Sequence, residues 1–161
     1  LVTGESRCTG ARAQEMLNSE PALRRKFRLM VTKPICHSDE IVVMDWLREN
    51  TSPDDVVLAS LTVGQYVPAI SGNTAFLAHW AQTVEFYDKE ERVARFFDEA
   101  TSDEARRDTV CAFGVDYVFY GAAERALGDY DLGSSPWLTE AFSSSQVQLF
   151  RVDSQTACQG G

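Results

Sequence analysis

The run Val56-Val57-Leu58-Ala59 constrains this chain most: four apolar residues free of charge, preceded by Thr51-Ser52-Pro53-Asp54-Asp55 and followed by Ser60. It is too short for a helix and lacks the polar alternation of a half-exposed strand, so it reads as a strand covered on both faces. Such a strand needs a layer above and a layer below. The flanking sequence supplies them. Ser38 can cap a helix with Asp39 and Glu40 in its first turn and Val43, Trp46 and Leu47 as its buried stripe, ending near Asn50. After the run come a short helix from Gly64 to Ile70, the turn Ser71-Gly72-Asn73 and a second strand, Thr74 to Ala78. A longer helix within Tyr87 to Ala100 places Val93, Phe97 and Ala100 on one side, with the i,i+4 pairs Asp88/Arg92 and Glu91/Arg95 on the other.

Thr101 and Glu104 have capping-box spacing and open another helix that stops at Phe113-Gly114. Val115 to Tyr120 is the third strand, and Gly121 leads into a short helix, Ala122 to Leu127. A loop rich in Gly, Ser and Pro precedes the last strand, Val147 to Val152, whose alternation suits a sheet edge. Strands alternating with helices give an α/β fold: a mostly parallel, Rossmann-like sheet of about four strands flanked by helices. Residues 38–153 form this domain, after an irregular basic extension (1–37) and before a disordered tail (154–161).

Charge separates the extension from the domain. Residues 1–38 hold seven basic and three acidic side chains, whereas residues 39–161 hold eight and twenty-one. A domain that acidic is no nucleic-acid surface, because phosphate binding needs clustered Lys and Arg. The cluster Arg24-Arg25-Lys26 with Arg28 suits either a solvated extension or a segment beside anionic lipid headgroups. No run approaches the roughly 18 apolar residues of a membrane-spanning helix. Leu1 to Leu29 has no signal-peptide core. Cys8, Cys36, Cys111 and Cys158 lack the paired short spacings of a structural zinc site. A Cys8–Cys36 disulfide is conceivable in an oxidising compartment, and Cys111 reads as a small core residue.

In a parallel sheet, ligands collect at the carboxyl ends of the strands. Here those ends bring Ser60 and Thr62, then His79 and Trp80 with Thr83 beyond, then Tyr120 and Gly121. These are the candidate ligand-binding residues. The alternative is that His79 serves a loop and Trp80 packs. Nucleophilic catalysis would need a Ser or Cys beside a His base and an orienting carboxylate. His79 with Glu85 is the nearest approach; there is no Gly-x-Ser-x-Gly elbow, and the other histidine, His37, lies in the extension. Asp129-Tyr130-Asp131 has the form of an Asp-x-Asp cation ligand, although Asp in a Gly-rich loop more often makes a turn. No nucleotide fingerprint is present. No catalytic residue, cofactor or metal is therefore assigned.

Several stretches resemble the soluble domain of bacterial polytopic glycosyltransferases of the GT-C type. They are Asp45-Trp46-Leu47-Arg48-Glu49-Asn50-Thr51 with Pro53 and Val56 to Ala59, and Ala78-His79-Trp80-Ala81-Gln82-Thr83, where relatives often read Gly-His-x-x-Glu-Thr. Further matches are Gly114 to Gly121, Glu124 to Gly128, and Ser135-Pro136-Trp137-Leu138 with Val147 to Val152. The resemblance spans residues 39–153. It implies an accessory domain on the extracytoplasmic face, joined to a membrane-embedded portion that uses a polyprenyl-phosphate sugar donor and keeps the catalytic loops. The domain would then contact a glycan acceptor at the strand-end crevice. The catalytic subunit of oligosaccharyltransferase is more distantly similar and carries Trp-Trp-Asp-x-Gly after its first strand. Ser60-Leu61-Thr62-Val63-Gly64 keeps only the glycine, so peptide-sequon reading is not implied. The other readings are a structural or protein-interaction domain without a ligand and, third, an independent soluble enzyme.

Overall fold

A computed structural model of the chain describes residues 38–159 apart from residue 82. The basic extension, the Cys8–Cys36 pairing, His37 and Gln82 lie outside the described residues, as does the side-chain cap expected of Ser38. The elements run α1 (Ser38–Asn50), β1 (Val56–Leu58), α2 (Leu61–Gly64), α3 (Val67–Ile70), β2 (Thr74–Ala75), α4 (Phe86–Phe97), α5 (Asp103–Phe113), β3 (Val115–Tyr120) and α6 (Ala122–Arg125). A 3-10 turn (Leu132–Ser134), β4 (Leu138–Ser143), β5 (Gln148–Val152) and α7 (Ser154–Cys158) complete them.

The strands form one five-stranded sheet in the order β2-β1-β3-β5-β4. β1 is parallel to β2 and β3, pairing Val57 with Ala75 and with Tyr117. β5 runs antiparallel to β3 and β4, pairing Phe150 with Val118 and Glu140. The α/β class holds, but the sheet is mixed and has five strands rather than a mostly parallel four. The missed strand is β4, in the stretch read as loop. Its outward residues are polar and a register shift between Glu140 and Phe142 breaks the alternation, so no period-two signal survives. With β4 outside it, β5 is interior instead of an edge.

β1 is sealed on both sides. Val57, Leu58 and Ala59 are all fully buried. Val57 and Ala59 join Val43, Met44 and Leu47 of α1, Val63 of α2 and Val67 of α3 in one core. Leu58 faces the other core, with Val93, Phe96 and Phe97 of α4 and Val110 of α5. Each set removes apolar surface from water, so a charge within β1 would have nowhere to go. α1 ends where predicted, as the Thr51 amide and hydroxyl both donate to the Leu47 carbonyl.

Four local expectations are corrected. The helix from Gly64 to Ile70 is two short turns, because Gly64 closes α2 against the Leu77 carbonyl; a Cβ there would lie 2.0 Å from that oxygen. Ser102, not Thr101, caps α5, its hydroxyl accepting from the Ala105 amide. The tail from 154 to 161 is not disordered throughout: Asp153 caps α7, accepting from Gln155 and Thr156, and Ala157 is buried. Cys111 is not a free core thiol but is bonded to Cys158.

Candidate functional site

The parallel half of the sheet sends the carboxyl ends of β1, β2 and β3 to one side. What stands there divides into two parts. The first is a clamp across the tips of β1 and β3. Glu124, on α6, is 0% exposed, and its carboxylate accepts from the Ser60 amide through Oε1 and the Gly121 amide through Oε2, both at 2.9 Å. A buried carboxylate is tolerable only when backbone donors satisfy it, and here each oxygen has one. Ser60 also caps α2, its hydroxyl accepting from the Val63 amide. The donors at Ser60 and Gly121 that an incoming ligand would use are thus already taken by the protein's own side chain.

Tyr120 is similarly engaged. Its ring stacks on Phe97 at 5.9 Å with the Arg125 guanidinium 5.0 Å from its centre. Burial raises the phenol above its ordinary value against the opposing pull of Arg125, so it stays protonated and is no base at neutral pH. Thr62 is exposed on α2, and its carbonyl accepts from the Gln65 side chain.

The second part is the connection from β2 to α4. The Thr83 hydroxyl accepts from the Ala78 amide at 3.0 Å, and the Thr83 amide donates to the His79 carbonyl. His79 Nδ1 accepts from the Ala81 amide at 3.3 Å, which leaves Nε2 to carry the proton of the neutral ring. Thr83 is therefore a brace of the turn rather than a free group. Trp80 projects from it 63% exposed, its ring 5.6 Å from that of His79, and Val84 and Tyr87 are 78% and 82% exposed. Glu85, placed near His79 as a catalytic partner in sequence, stands at φ 57°, left-handed and without a side-chain cap on α4. Non-glycine residues hold that conformation at a cost, and such strain gathers where a loop is shaped for a task.

Asp129 and Asp131 are both exposed. Asp131 caps the 3-10 turn, accepting from the Gly133 amide, while Tyr130 between them is buried under Arg106 with its hydroxyl bonded to Ser135. Among the described residues no group of three or more His, Cys, Asp or Glu is gathered to hold a metal ion. None of those residues forms a helix long and apolar enough to cross a membrane.

Glu124 is the residue that sequence reasoning passed over. Its signal was the three-residue step from Gly121, the spacing at which a Glu reaches back to the amide preceding its helix.

The C-terminal globular domain of an oligosaccharyltransferase from Archaeoglobus fulgidus matches with a TM-score of 0.51 and 15% identity, over 69% of this chain and 94% of that one. The two share a fold. At that identity the likeness is one of architecture and carries no residue roles across. No family model matches the chain, and no curated protein does.

Proposed function

We propose that this chain is an accessory domain of a membrane glycosyltransferase, working on the extracytoplasmic face beside a membrane-embedded portion that performs the transfer. The fold shared with the archaeal globular domain supports the accessory reading. Its contact with a glycan acceptor runs through His79 and Trp80, not through the tips of β1 and β3. The observation that carries this is the exposure of Trp80 next to His79, on a connection whose turn is held by Thr83 and by His79 Nδ1. An exposed aromatic face can lie against the C–H face of a sugar ring while an imidazole N–H donates to a hydroxyl. Substituting both His79 and Trp80 by Ala, in the membrane enzyme that carries the domain, should lower transfer while the domain's melting temperature stays put. Unchanged transfer kinetics would remove the reading.

A second reading has its own support. The Glu124 carboxylate fills the strand-tip crevice, as expected of a structural or protein-interaction domain that takes no ligand there. On that reading Trp80, Val84 and Tyr87 meet a protein surface, and their substitution would weaken assembly before it touched transfer.

A further inference from the structure

Cys111 and Cys158 are 47 residues apart in sequence, yet their Cα atoms lie 5.7 Å apart and their sulfurs are bonded. Both positions are set by other interactions. Cys111 lies in α5 next to Val110, which is buried in the core, and Cys158 ends α7, whose start is held by the Asp153 cap. α7 has only five residues and buries one of them, Ala157. A helix of that length is not stable by itself, so something outside it must keep it seated. Cys158 is exposed and Cys111 half-buried, which leaves the pair within reach of a thiol reagent.

We infer that Cys111 and Cys158 are the target of a thiol-oxidation step in an oxidising compartment, and that their bond is the latch seating α7 on the core. In that step a disulfide of a dithiol oxidoreductase is attacked by the Cys158 thiolate, giving a mixed disulfide and releasing one thiol of the oxidant. The Cys111 thiolate then displaces the oxidant's second sulfur. The two cysteines together lose two protons and two electrons, and the oxidant's disulfide leaves as two thiols. A reducing cytosol would leave the pair as thiols. The inference stands on the pairing alone and does not depend on glycan contact.

The test uses the full 161-residue chain, exported to a bacterial periplasm in one preparation and kept in a reducing cytosol in another. Each is alkylated without reduction and digested with trypsin. The exported chain should yield Asp108–Arg125 joined to Val152–Gly161, two hydrogens lighter than the separate peptides, and the cytosolic chain should yield both peptides alkylated. Separate alkylated peptides from the exported chain, or linkage to peptides carrying Cys8 or Cys36, would overturn the pairing. The latch is tested with the double variant Cys111→Ser, Cys158→Ser. Hydrogen exchange at the Ala157 amide, which donates to the Asp153 carbonyl, should speed up about tenfold or more while β3 and β5 stay protected. Unchanged exchange at Ala157, or equal loss of protection in β3 and β5, would overturn it.

Discussion

The β1–β3 tips and the β2–α4 connection stand at the same side of one sheet and spend their polar groups differently. At the tips, Glu124 answers the Ser60 and Gly121 amides, so those two donors are already occupied. At the connection, Thr83 and His79 Nδ1 hold the turn, and Trp80, Val84 and Tyr87 stand exposed beside it. A strand-end position in a parallel sheet is therefore not by itself a site. What decides is whether the protein has already satisfied the donors there.

The largest effect should come from opening the clamp. Glu124→Ala leaves two buried amides without acceptors and should cost about 3 kcal/mol, read by denaturant unfolding. A loss below about 1 kcal/mol would mean the tips are open to water and the contrast with the connection is false. Gly64→Ala comes next. Its Cβ would collide with the Leu77 carbonyl oxygen, and moving that segment should cost about 2 kcal/mol. Because Leu77 lies between β2 and the connection, the same variant should also broaden the amide resonances of residues 78–83.

Within the connection the effects on stability shrink and change sign. Glu85→Gly relieves the left-handed strain and should stabilise by about 0.5–1 kcal/mol; no gain would show that other contacts compensate for φ 57°. Tyr87→Ala should change stability by less than about 0.5 kcal/mol, since the ring is already in water. The smallest effect is local to α7. Thr156 holds the Asp153 carboxyl below the usual carboxylate range through hydrogen bonds from its side chain and its amide. That cap therefore helps above the ordinary carboxylate pKa and is lost as pH falls through the lowered one. A fall in the protection of the Ala157 amide relative to its unstructured exchange rate as pH drops, absent in Asp153→Asn, would register it.

Much of the architecture was legible because it rests on local patterns. β1 and β3 are nearly charge-free, and α1 carries its stripe and stop within 13 residues. β4 was hidden because an edge strand with polar outward residues and a register shift looks like loop. The Cys111–Cys158 bond was hidden because only the tertiary fold brings the two helices together. The candidate residues do follow the carboxyl ends of β1, β2 and β3, but what each side chain touches was not readable. Whether Tyr120 faces a ligand or stacks on Phe97 depends on a contact between segments 23 residues apart. Glu124 was named only within a matched stretch, and its full burial between two strand tips depends on the tertiary fold.

The central claim is that contact passes through the connection and not through the tips. It is tested most directly by comparing Trp80→Ala with Thr62→Ala in the membrane enzyme that carries this domain. Both side chains are exposed, so neither substitution empties the core. The account predicts that Trp80→Ala lowers the transfer rate several-fold and that Thr62→Ala leaves it unchanged. Loss of transfer in Thr62→Ala with full transfer in Trp80→Ala would contradict it.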